Sequence, residues 1–172
     1  MTTCPFTAKA ALYMERTADW TPVSPITTVG MWNQALGEIS EDVVRMDGLN
    51  KDHLRLVYAR RIERHLVSVV TNATCFLRDL GVEDPAAAFV AEWERAAIKH
   101  PGMTLDADGP TDENRFYALA EEVGEVAASL TYDNANSTGH NADTIAEVTQ
   151  VGALALAWLV RYQGGNERSE DR

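Results

Sequence analysis

Apolar residues recur at steps of three and four along most of this chain, the period of helices that bury one stripe. The clearest stripe is Phe116, Leu119, Val123, Val126, Ala127 and Leu130. Thr111 or Asp112 stands where a cap belongs, and Glu113 suits the positive end of the helix dipole. A second stripe, Val148, Val151, Ala155, Trp158, Leu159 and Tyr162, predicts a helix from about 141–143 to about 162, stopped by the glycine pair at 164 and 165. Between them "DNANSTGHN" predicts a polar loop.

Upstream, Met31, Ala35, Leu36, Ile39, Val43 and Met46 predict a helix over about 29–46, and "DGLN" a turn. A longer helix from about 51 to 80 follows, with Leu54, Val57, Ile62, Leu66, Val69, Val70, Ala73 and Leu77 facing inward. Asp84 as cap and Pro85 in the first position open the next helix, which "HPGMTLDADGPTD" ends. Pro5, Pro22 and Pro25 restrict the first thirty residues to short elements. No stretch alternates as a strand would, so the expected fold is all-α. It divides into an N-terminal helical half (1–84), a second half (85–165) and a polar tail (166–172).

Composition narrows the function. A chain of 172 residues that is 45% apolar can build one core or two small ones. Its 15 basic against 26 acidic residues, net charge -11, repel a phosphate backbone and exclude a nucleic-acid partner, though not a nucleotide held through a metal ion. Cys4 and Cys75 lack metal-ligand spacing, and Cys75 within "VVTNATCFL" reads as a small buried side chain. The longest apolar run, "VGALALAWLV", covers about half of the ~20 residues a bilayer needs, and the first twenty residues lack a secretory pattern. The expectation is a cytoplasmic protein with no membrane partner.

The acidic residues are not spread evenly. Glu122 and Glu125 lie three apart and project from one side of their helix, with Glu121 on its flank. Glu147 and Gln150 repeat that spacing on the next helix. If the two helices pack antiparallel, four oxygen-bearing side chains converge beside an apolar interface, where unpaired carboxylates cost several kcal/mol unless a cation neutralises them. An all-oxygen set suits Mg²⁺ or Mn²⁺ rather than zinc. The ordinary alternative is two solvated helix faces, since Glu is a good helix former.

The strings "EEVGE" and "EVTQ", with "KHPGMTLD" and "TQVGALALAWL" around them, resemble the MazG-like all-α nucleoside triphosphate pyrophosphatases, relatives of the dimeric all-α dUTPases. That family carries E-E-x-x-E on one helix and E-x-x-D on the next. The resemblance covers about residues 85–163. It implies a helical bundle that binds Mg²⁺, with Mn²⁺ as a substitute, and cleaves a nucleoside triphosphate to monophosphate and pyrophosphate. By position, Glu122, Glu125 and Glu147 would be metal ligands, with Glu121 either supporting those ligands from outside or helping to orient the attacking water. The family usually builds its bundle by dimerising, so a homodimer is implied unless this chain supplies the second half itself.

Gln150 departs from the pattern, because it stands where the family has Asp and brings neither charge nor a base. Asp143, one turn before Glu147, is on the right side to restore the charge. A triphosphate also needs cations, and Lys99, His100 and Arg115 flank the acidic helix in sequence. Trp93, Phe116, Tyr132 and Trp158 are available for base stacking, although Trp158 lies on a core stripe. The basic run "RLVYARRIERH" reads as a solvated face.

An internal repeat is also visible. An offset of 84 positions places Glu38 on Glu122, Glu41 on Glu125 and Glu63 on Glu147, while Leu66 falls on Gln150 and cannot bind metal. The N-terminal half then reads as a degenerate copy. Two functional classes compete: a Mg²⁺-dependent nucleotide pyrophosphatase, and an inactive helical protein that binds a nucleotide or a protein partner. A di-iron carboxylate bundle would need E-x-x-H pairs, and neither acidic helix has the histidine.

Overall fold

The computed structural model describes residues 4–19, 21–49 and 51–170. Among them are seven helices and no strand: α1 (Pro5–Arg16), α2 (Pro25–Met46), α3 (Asp52–Asp79), α4 (Pro85–Lys99), α5 (Asp112–Ser129), α6 (Tyr132–Ala135) and α7 (Thr144–Glu170). Pro5, Pro25 and Pro85 each occupy the first helical turn, where a missing N–H leaves nothing unpaired. The early prolines therefore start helices rather than merely shorten them. Ser24 and Asp84 cap α2 and α4 by accepting from the backbone N–H of Thr27 and Ala87. At α5 the cap is reciprocal: Asn114 N–H donates to Thr111 Oγ1 (3.1 Å), and Thr111 N–H to Asn114 Oδ1 (3.2 Å).

Four long helices close into a ring, α2 on α3, α3 on α7, α7 on α5 and α5 back on α2. Contacts between Glu38 or Asp42 and Arg61, and between Met46 and Arg55, fix α2 and α3 as antiparallel. The α5 and α7 pair is antiparallel too, joined at one end through Trp158 and Asp112 and at the other through Glu125 and Glu147. One continuous core fills the ring, including Trp32, Ile39, Ile62, Leu66, Leu119, Val123, Leu156 and Trp158. Each large side chain removed from water there contributes about 1.5–3 kcal/mol. This core crosses the boundary at 84–85, so the two halves share it.

Helices α1 and α4 lie against each other and against α3 and α7. Phe89 of α4 is buried where Gly152 of α7 leaves room, with its Cδ1 3.0 Å from where a Cβ would stand. That docking carries the outer face of α4 toward the seam between α5 and α7. No described helix is long and apolar enough to cross a membrane.

Several expectations are corrected in detail. Met31 and Val57 (51% exposed) face outward, although Ala35, Leu36, Ile39 and Met46 of the one stripe and Ile62, Leu66, Val69, Val70, Ala73 and Leu77 of the other are buried as expected; on α2 it is Trp32 rather than Met31 that enters the core. Ala127 and Leu130 are exposed as well, since Val126 of the same stripe turns inward as expected and Ser129, outside it, does so too. The backbone of α7 passes through Gly164 and Gly165 to Glu170, so the glycines do not stop it. A glycine in a helix costs about 1 kcal/mol and is no break by itself. The loop after α5 opens with the short helix α6, capped by Thr131.

On the first helix of each pair the offset of 84 matches buried Ala35 to Leu119, Ile39 to Val123 and Asp42 to Val126, but sets buried Val29 and Met46 on exposed Glu113 and Leu130. It fails on the second. The buried stripe Ile62, Leu66, Val69 and Ala73 corresponds to Val148, Gly152, Ala155 and Leu159, two positions out of step, so Glu63 does not occupy the place of Glu147. Glu63 instead accepts from Gln163 Nε2 at 2.5 Å. Arg61 fills the corresponding seam, 3.1 Å from the fully buried Asp42 and 3.5 Å from Glu38.

Candidate metal centre

Val123 and Val126 of α5, with Val148 and Val151 of α7, turn into the ring and fix the rotation of both helices. That rotation leaves Glu122, Glu125 and Glu147 along the edge of the seam. One carboxylate oxygen from each lies within 4.8 Å of the other two. Glu122 Oε2 has no exposed surface and no hydrogen-bond partner. Burial, then the charges of Glu125, Glu147, Glu121 and Glu92, push the Glu122 carboxyl up to about 7. Glu147 is raised as well, first by burial, then by the hydrogen bond and charge it shares with Glu125. Three carboxylates so placed repel each other, and a shared proton or a cation would both relieve that repulsion and partner the buried Glu122 oxygen. The donor set is oxygen alone, which fits a hard divalent ion.

Loop chemistry completes the rim. Asn134 of α6 donates from Nδ2 to the carbonyls of Ser129 (2.9 Å) and Ala142 (3.2 Å) and accepts from Ala142 N–H (2.8 Å). It thereby ties the end of α5 to the start of α7. Asp143 then caps α7, its Oδ1 accepting from the backbone N–H of Ile145 at 3.0 Å and of Ala146 at 3.4 Å. Its charge is close enough to help raise Glu147. A cleft of about 600 Å³ is lined by Glu121, Glu125, Asp143, Glu147 and His140. Glu121 is exposed on its wall and is not one of the three converging groups. His140 was not anticipated, because a lone histidine in a polar loop gives no spacing signal.

Asp143 thus has two roles that one substitution separates. Asparagine caps a helix about as well as aspartate, so Asp143→Asn is expected to keep the thermal midpoint within about a degree or two while Mn²⁺ affinity falls severalfold. Unchanged affinity by calorimetry would leave Asp143 as a cap only. Alanine would lose the cap too, at about 1 kcal/mol.

Gln150 sits beside the cluster as a link rather than as a fourth charge. Its Nε2 donates to Glu147 Oε2 at 2.8 Å, and its Oε1 accepts from Arg95 Nη2 at 3.4 Å. The three cations suggested by sequence are placed differently. Lys99 ends α4 and His100 caps it, both exposed. Arg115 is only 4% exposed, and its guanidinium donates to the carbonyls of Leu105 (2.8 Å) and Ala107 (2.7 Å) and pairs with Asp112 (3.1 Å). It fastens the linker to α5 and is not turned toward the acidic seam. Proximity in sequence misled here, because seven residues on a helix carry a side chain about two turns away.

Arg95 is the cation the sequence reading missed. With Glu92 it forms an E-x-x-R pair on one face of α4, bonded from Nε (2.7 Å) and Nη2 (2.6 Å). The aromatic candidates are mostly structural. Trp158 is buried with Nε1 donating to Asp112 at 3.3 Å, and Trp93 stacks on Phe6 at 5.1 Å and donates to Asp106. Phe116 lines a separate groove near Val43, Val44 and Arg55, while Tyr132 stands in solvent. No protein-family model matches this chain, and neither does a curated protein or a solved structure.

Proposed function

We propose that this protein is a magnesium-dependent nucleoside triphosphate pyrophosphohydrolase of the MazG-like kind, cleaving a (d)NTP to (d)NMP and pyrophosphate. The observation that carries the reading is the triple approach of Glu122, Glu125 and Glu147, with a buried Glu122 oxygen that has no partner. Those three carboxylates would hold the ion, with Asp143 adding charge from the rim. Bound there, magnesium, or manganese in its place, would supply charge neutralisation on the phosphates and a water of lowered pKa. Glu121, on the cleft wall, would orient the attacking water and take its proton. Water adds at phosphorus as the α–β anhydride bond breaks, so the oxygen of that bridge leaves on one product. In this reading α2 and α3 act as the built-in partner of α5 and α7, and Arg61 does between Glu38 and Asp42 what the ion does in the acidic seam.

Pyrophosphate release from a panel of canonical and modified (d)NTPs, with Mg²⁺ or Mn²⁺, tests the proposal. Release is expected from the natural chain and a fall of about a hundredfold or more from Glu125→Gln, because a direct ligand matters at least as much as its outer-shell support. Equal release from both proteins would locate the activity elsewhere. The second reading, a nucleotide-binding or partner-binding protein without turnover, is favoured by one feature. Gln150 is neutral and already committed to Glu147 and Arg95. Tight binding of a nonhydrolysable nucleotide with no pyrophosphate from any substrate would select it.

A further inference from the structure

A triphosphate and an acidic seam repel each other, and one divalent ion cannot neutralise both the three glutamates and the phosphate chain. The site needs a cation from the protein as well. Arg115 cannot serve, being buried against the linker. Arg95 reaches the cluster through a continuous chain of contacts, Arg95 to Gln150 and Gln150 to Glu147. Its side chain is 54% exposed. Nη1 makes no hydrogen bond among the described residues, so part of the fork faces solvent.

We infer that Arg95 grips the phosphate chain of the substrate, and that Glu92 holds the guanidinium over the seam until the substrate arrives. This deepens the pyrophosphatase reading and rests on it. Arg95 is the solvent-facing half of the pair, and its second edge, Nη1 and Nη2, can take a phosphate oxygen while Nε stays on Glu92. The planar fork then offers two parallel donors, the geometry that arginine supplies and lysine does not. Glu92 is well placed as a holder, because it is mostly buried and its charge reaches Glu122. Phe89, seated against Gly152, sets the depth of α4 and so the reach of Arg95.

The test separates metal binding from phosphate binding. Mn²⁺ is titrated by electron paramagnetic resonance, and magnesium tripolyphosphate, which has no base or sugar, by calorimetry. Arg95→Ala is expected to weaken tripolyphosphate binding about tenfold or more, the loss of a charge-assisted hydrogen bond. Its Mn²⁺ affinity should hold or rise, because a cation has left the acidic site. Arg95→Lys should fall between the two. Tripolyphosphate binding unchanged in Arg95→Ala, or lost together with Mn²⁺ binding, would overturn the inference and leave the metal site standing. No Mn²⁺ bound by the natural chain beyond what Glu125→Gln binds would remove the reading beneath it, and the inference with it.

Discussion

Glu122→Gln is expected to make the metal-free protein more stable at about pH 8 while weakening its hold on Mn²⁺ by about a hundredfold or more. The sign follows from the carboxyl's surroundings. Folding raises its pKa from 4.5 to about 7, so the folded chain keeps a proton that the unfolded chain releases. That contribution is fully present below the unfolded value and is lost as pH rises from about 4.5 to about 7. Above that window the natural protein carries an ionised, crowded carboxylate, and glutamine carries none. Allowing for partial solvation, the gain is about 2 kcal/mol, or about 5 °C in thermal midpoint for a chain of this size. The difference should shrink toward acid pH, and some slope should remain from Glu147, which is raised too. Thermal melts at several pH values, with and without Mn²⁺, check it. A mutant no more stable at high pH would mean that the seam is not strained by its charges.

Gly152→Ala is expected to destabilise the fold by about 3 kcal/mol, at the upper end for overpacking a core. A methyl group there would overlap Cε1 and Cζ of the Phe89 ring. That ring is only 1% exposed and has nowhere to go without moving α4. Phe89→Leu should recover part of the loss in the double mutant, because a smaller side chain leaves space for the methyl group. The same shift displaces Glu92 and Arg95 from the seam. Phosphate affinity should therefore fall in Gly152→Ala even at a temperature where the protein remains folded. Additive losses in the double mutant would show that the two residues do not compete for one space.

Most of the helices were legible because each buries a stripe with period 3.6, and caps such as Thr111 and Asp84 mark their starts. Phase was less secure where stripes have apolar neighbours, as at Met31 beside Trp32. The pairing of Glu122 and Glu125 with Glu147 was readable, since i, i+3 spacing needs only one assumption, that the helices pack antiparallel. Which cation faces them was not. Arg95 lies on a helix whose docking depends on Phe89 meeting Gly152, and a one-dimensional pattern does not encode that contact. The role of Arg61 was hidden for a related reason: the second helices of the two pairs are out of step by two residues, which a single offset conceals.

Phosphorus NMR of the natural chain turning over a preferred (d)NTP with Mg²⁺ reads directly which phosphoanhydride bond is broken. Nucleoside monophosphate and pyrophosphate signals are expected to grow together, in equal amounts. Inorganic phosphate with nucleoside diphosphate, or an unchanged triphosphate spectrum across the whole panel, would contradict the proposed activity.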